Sequence, residues 1–209
     1  MVGICCVFDF LDGLVARALN VHSEIGKQLD SLADMVSFGV VPGVIIFQLL
    51  KLNYSNQFIH FWYDDIFIAA IPFLIILFSA VRLAKFNIDK RQANSFIGLP
   101  TPANTIFISS LPLILKLDYS GETVRHLINN TYFLVGGSLI SSFLLVAPLP
   151  LFALKFKNFS WADNKVCYIF LTLALALLII FKFVGIPLII VLYIILSVIN
   201  NLATKSKTQ

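Results

Sequence analysis

DFLDGLVARALNVHSEIGKQLDSLAD, residues 9–34, decides how the rest of the chain is read. It carries four carboxylates, Asp9, Asp12, Asp30 and Asp34, with Gly13, Ala16, Arg17 and Gly26 between them. The surrounding chain is made for lipid. Of its 209 residues 59% are hydrophobic and only 12% charged, and its mean hydropathy is +0.92. Soluble domains carry about 25% charged residues, so this composition excludes a soluble globular protein. Acid placed inside such a chain needs a reason.

Working outward, the apolar runs are about the 17 to 25 residues that cross a bilayer. Seven candidates stand out, at about 1–19, 24–50, 66–88, 102–117, 130–153, 165–182 and 185–203. The sixth and seventh are separated by a tight turn, where Gly185 and Pro187 interrupt the run. The expected architecture is therefore an all-α polytopic membrane protein, a single domain over 1–209 without internal repeats. Residues 1–8 lack the basic start and small-residue cleavage site of a signal peptide. Met1 to Asp9 rises only about 12 Å, which leads us to expect a further helix before the first span and eight spans in all. Cys5, Cys6 and Cys167 form neither a disulfide framework nor a metal pattern; they read as small apolar helix residues.

The basic residues set the orientation. Arg17, Lys27, Arg82, Lys85, Lys90, Arg91, Lys155, Lys157, Lys165, Lys205 and Lys207 fall on one side of these spans. Lys51, Lys116, Arg125 and Lys182 fall on the other, 11 of the 15 basic residues against 4. The positive-inside rule puts the first set, and with it the 9–34 stretch, at the cytoplasmic face. The bacterial cytoplasmic membrane is the expected location. Trp62, Tyr63 and Tyr132 read as interfacial aromatics. His22, in the turn beside the motif, reads as a solvated turn residue, and His60 and His126 lie in opposite-side loops.

Residues three or four apart share a helical face, so Asp9 pairs with Asp12 on one helix and Asp30 with Asp34 on the next. A short turn near Val21 makes the two helices antiparallel and lets all four acids converge. A carboxylate in the bilayer centre costs roughly 2.5–3.5 kcal/mol, and four together repel one another. Divalent metal is the natural counter-charge, and an all-oxygen set suits Mg²⁺, Mn²⁺ or Ca²⁺ rather than zinc. Four carboxylates around two ions about 3.5–4 Å apart could clamp a phosphate during in-line displacement. Gly13 and Gly26, each costing roughly 1 kcal/mol in a helix interior, allow close approach of a neighbouring helix or of a ligand.

The spacing Asp-x2-Asp-Gly-x2-Ala-Arg-x8-Gly-x3-Asp-x3-Asp, from Asp9 to Asp34, resembles the signature of the CDP-alcohol phosphatidyltransferases, with every position filled. The resemblance implies a membrane enzyme that transfers a phosphoalcohol group from a CDP-linked donor to an acceptor hydroxyl, releasing CMP. It implies metal ligation by Asp9, Asp12, Asp30 and Asp34, with Asp34 also the general base. Gly13, Ala16, Arg17 and Gly26 would then hold the CDP moiety. It further implies a divalent cation cofactor, Mg²⁺ or Mn²⁺ and two ions, and a homodimer. A nucleic-acid partner is not expected.

GKQLDSLADMVSFGVVPG (26–43), RLAKFN (82–87) and FIGLPTPA (96–103) are similar to the members of this family that take serine as acceptor. The implied substrates are CDP-diacylglycerol and L-serine. Serine's carboxylate wants a cation, for which Arg82 is the candidate, with Asn87 available to hydrogen-bond the acceptor. Lys85, Lys90 and Arg91 keep a phosphorylated acceptor, glycerol 3-phosphate, or an inositol in play. From another class, a cation transporter or channel would use the aspartates as an ion path, which predicts acids scattered through the membrane depth.

Overall fold

The apolar runs are helical. In chain order they give α1 (Val2–Ala18), α2 (Glu24–Asp34), a π-helical turn (Met35–Val40), α3 (Val41–Asn56), α4 (Asp64–Ala70) and α5 (Phe73–Ile88). There follow β1 (Phe96–Ile97), α6 (Thr101–Leu117), α7 (Glu122–Ile128), α8 (Thr131–Val146), β2 (Pro150–Leu151), α9 (Lys165–Phe181) and α10 (Gly185–Lys205). This computed structural model describes residues 2–19, 23–56, 64–88, 96–117, 121–152 and 164–205. The turn at 20–22 with His22, and His60, Trp62, Tyr63, Lys90, Arg91, Lys155, Lys157 and Lys207, lie outside the described residues, as do the side chains of Arg17 and Lys205.

The longest element carries half of the acidic stretch. α2, the π turn and α3 form one apolar helical span, Glu24–Asn53. A π turn frees backbone carbonyls from the regular ladder, and in lipid each must find another donor. Here the Thr105 hydroxyl of α6 lies 2.9 Å from both Phe38 O and Thr101 O, sharing one proton between them. A Cβ on Gly39 would stand only 3.1 Å from Ser79 Cβ, so the glycine lets α5 press against the π turn.

Two further membrane-length runs are Phe67–Ile88 and Lys165–Leu202. The second is a hairpin rather than one rod. The rings of Phe170 and Tyr193 meet at 5.7 Å, which a continuous helix could not allow, and the chain reverses through a 3₁₀ turn at Lys182–Val184. Lys182 has a φ of 49° there. The hairpin therefore falls at the expected break. α1 and α6 are 17 residues each, about 25 Å of helix and the lower limit for crossing.

One boundary differs from expectation. The run at 130–153 leaves the helix after Val146, because Ala147 precedes Pro148 and takes an extended ψ of 139°. α8 is joined instead to α7 as a bent pair at 63°, apolar enough to be one broken span. Beyond α8, β2 pairs antiparallel with β1, Phe96 opposite Leu151 and Ile97 opposite Pro150. This two-residue ladder makes no sheet of consequence, but it ties the loop after α5 to the loop after α8. Asn201 of α10 donates to Pro150 O, and Lys27 Nζ donates to Asn87 O at 3.3 Å. The ends bearing Lys27, Asn87, Pro150 and Asn201 thus lie together, as the charge count requires.

The core lies between these helices. Ile46 and Leu50 of α3, Ile75 of α5, Ile108 and Leu111 of α6 and Leu134 of α8 form its main cluster. Leu99, Leu151, Phe170, Ala174 and Tyr193 form a second cluster nearer the ladder.

Candidate active site

The site grows from two helix ends. Ser23 caps α2 by accepting a hydrogen bond from Gly26 N at 3.2 Å, an arrangement worth about 1 kcal/mol. That cap starts α2 where its helical period sets Asp30 and Asp34 on one face. α1 supplies Asp9 and Asp12 at the matching spacing. One carboxylate oxygen from each of Asp9, Asp12 and Asp30 lies within 4.8 Å of the other two. The carboxyl groups of Asp34 and Asp9 are in hydrogen-bonding contact. Three of the acids thus share one point, and Asp34 joins them through Asp9. Asp9 and Asp34 are half-buried, while Asp12 and Asp30 are exposed.

Metal–oxygen bonds of 2.0–2.6 Å make a spread of 4.8 Å compatible with three carboxylates around one ion. The donor set is all oxygen and suits hard divalent cations. The residues present therefore fit the implied metal.

Beside the acids opens a cleft of about 710 Å³, lined by Asp12, Gly13, Ser23, Gly26, Lys27 and Asp30 among others. Among the described residues, a Cβ on Gly26 would meet only Ser23, at an ordinary 3.5 Å. No described neighbouring helix requires the glycine, and its place in the cleft wall favours ligand approach. Gly13 lines the same cleft. Ala16 is exposed on α1 and is not among the residues lining it.

Arg82 is 6% exposed on α5. Its Nε has no hydrogen-bond partner among the described residues, and its charge is within electrostatic reach of Asp34 and of Tyr193 on α10. Asn87, further along α5, donates from its amide nitrogen to Ser31 Oγ at 2.8 Å. Ser31 in turn donates to Lys27 O at 3.1 Å. Asn87 thus fastens α5 to α2 beside the cleft.

The CDP-alcohol phosphatidyltransferase profile matches residues 1–199, nearly the whole chain. The chain belongs to the CDP-alcohol phosphatidyltransferase family. Its relatives include CDP-diacylglycerol–serine O-phosphatidyltransferases of Helicobacter pylori (strain ATCC 700392 / 26695), 32% identical over 73% of this chain and 57% of the relative, and of Bacillus subtilis (strain 168), 36% identical over 54% of this chain and 55% of the relative. An archaetidylserine synthase of Methanothermobacter thermautotrophicus is 35% identical over 53% of this chain and 43% of the relative. The chain spans about half the length of these curated relatives. CDP-alcohol phosphatidyltransferases use divalent cations, and Asp9, Asp12 and Asp30 form a group able to hold one. They are membrane-embedded, in keeping with the apolar helices here.

Four residues of this CDP-alcohol phosphatidyltransferase escaped the sequence reading as site residues. Ser23 could have been found, since a serine directly before a helix is an N-cap signature. Lys27 adjoins Gly26 and was legible only as a charge. Ser31 meets Asn87 across the fold and Tyr193 of α10 lies within electrostatic reach of Arg82, proximities that no local spacing encodes.

Proposed function

We propose that the protein transfers a phosphatidyl group from CDP-diacylglycerol to L-serine, giving phosphatidylserine and CMP. The observation that carries this reading is the meeting of four aspartates from two helices beside an open cleft. The serine phosphatidyltransferases among its relatives support serine as acceptor.

Asp9, Asp12, Asp30 and Asp34 would hold Mg²⁺ or Mn²⁺, as two ions. When bound, the metal spreads the pyrophosphate's negative charge and that of the departing CMP. The chain's own residues do the rest. Gly13 and Gly26 admit the CDP moiety to the cleft, with Ala16 and Arg17 on the α1 side and Lys27 at the wall. Arg82 holds the serine carboxylate by a charge-assisted contact, and Asn87 orients the acceptor from the same helix. Asp34 takes the proton from the serine hydroxyl. The serine oxygen then bonds to the phosphorus bearing the diacylglycerol as its bond to the CMP oxygen breaks in line. The site faces the cytoplasm, where serine enters and CMP leaves, while the lipid arrives laterally. A homodimer is the proposed assembly.

The test supplies detergent-solubilised protein, CDP-diacylglycerol and Mn²⁺ or Mg²⁺ with a panel of acceptors. CMP release that depends on serine is expected. Release with glycerol 3-phosphate or inositol alone would overturn the acceptor.

A further inference from the structure

A second cavity, of about 390 Å³, opens between α6, α8 and α10. Among the described residues it shares no lining residue with the aspartate cleft. Its wall is almost wholly apolar, with Phe107, Leu111 and Val191 among its members. Its polar lining residues include Tyr132, Ser141 and Asn104, and Asn104 is set apart: it is 1% exposed and has neither amide atom hydrogen-bonded among the described residues. An unpaired buried amide costs about 1–3 kcal/mol, so it calls for a partner.

The opposite wall is cut away. Gly136 and Gly137 of α8 both line the cavity, and a Cβ on either would meet nothing within 4 Å among the described residues. Each glycine costs a helix about 1 kcal/mol against alanine. Small residues in membrane helices usually bring two helices together, but here they face open space within the fold. Ile140, 62% exposed, and Val191, 41% exposed, stand at the rim, so the cavity opens sideways to lipid. A helix about 10 Å across is too thick to reach Asn104. An acyl chain is thin enough.

Depth specifies the headgroup end. Thr105, next to Asn104, contacts Phe38 O, and Phe38 lies four residues below Asp34, less than about 6 Å because the turn is π-helical. Asn104 therefore sits just beneath the level of the aspartates, where the ester carbonyls of a bilayer glycerophospholipid lie under its phosphate. We propose that this groove seats one acyl chain of a resident glycerophospholipid, distinct from the substrate, whose ester carbonyl accepts a hydrogen bond from Asn104 Nδ2. The chain would run past Phe107 and Leu111 along Gly136 and Gly137.

The test counts phospholipid retained by the full chain after purification in mild detergent, by native mass spectrometry and lipid extraction. One retained phospholipid per chain is expected for the unaltered protein. Gly137→Leu, which fills the groove, should lose it. Asn104→Leu should weaken retention about fivefold, the worth of one neutral hydrogen bond. Phosphatidylglycerol vesicles added to delipidated protein should raise the Tm of the unaltered chain and leave that of Gly137→Leu unchanged. Equal retention in all three proteins would overturn the proposal. Displacement of the phospholipid by saturating CDP-diacylglycerol would also overturn it, assigning the groove to the substrate. So would a change of oligomeric state in Gly137→Leu without change in lipid, which would assign the glycine face to a second copy. None of these readouts depends on catalysis.

Discussion

Asp34 is the residue on which two parts of the site meet. It contacts Asp9 on one side and lies within reach of Arg82's charge on the other, so it can face both metal and acceptor. Asp34→Asn should keep the fold and lower serine-dependent CMP release by about 10²–10⁴-fold, the usual contribution of a general base; steady-state turnover with a thermal melt as control checks this. Arg82→Leu should raise the serine KM by about 10- to 100-fold, the worth of a charged hydrogen bond, and leave the KM for CDP-diacylglycerol little changed. Equal effects on both substrates would remove Arg82 from the acceptor site. The aspartates were legible because helical spacing alone pairs them, and no metal-free soluble role accounts for four acids in lipid. Tyr193 was not, because its approach to Arg82 depends on how α10 packs.

At the scale of elements, two joints shape the site. Gly98 has a φ of 80°, and a Cβ there would stand 2.6 Å from Leu145 O. Its N–H donates to Leu149 O at 2.9 Å, so it locks the β1–α6 corner onto the end of α8. Gly98→Ala adds strain and a backbone clash, and should cost about 1–3 kcal/mol or more, read as a lower Tm in detergent. Thr105→Val should cost about 1 kcal/mol by leaving Phe38 O without its hydroxyl donor; an unchanged Tm would show that the π turn is satisfied otherwise. The helices themselves were legible from apolar run length. The π turn at Met35–Val40 was not, because MVSFGV contains no proline or charge to mark it, and its form depends on Thr105 and Ser79 from other helices. The end of α8 was written in Pro148 and Pro150, but apolar content carried the expected run past them.

For the whole molecule, the charge count and the folded contacts agree about sides. The β1–β2 ladder, Lys27 with Asn87, and Asn201 with Pro150 gather one set of ends, the set richer in lysine and arginine. Replacing Cys5, Cys6 and Cys167 and placing one cysteine at Lys85 or at Lys116 tests the proposed orientation. In sealed right-side-out vesicles an impermeant thiol reagent should label the Lys116→Cys protein and spare Lys85→Cys; the reverse pattern would invert the site. The acids also bear on the transporter alternative. An ion path needs them spread through the membrane depth, whereas Asp9, Asp12, Asp30 and Asp34 cluster at one end, and the chain belongs to a transferase family. This paired-helix site is proposed to join serine to a phosphatidyl group. Its most direct measurement follows labelled serine into extracted lipid, alongside CMP, with CDP-diacylglycerol and Mn²⁺ present or chelated. Phosphatidylserine and CMP are expected in equal amounts, both abolished by the chelator; CMP formed without labelled lipid, or labelled lipid formed equally well in chelator, would overturn metal-assisted transfer to serine.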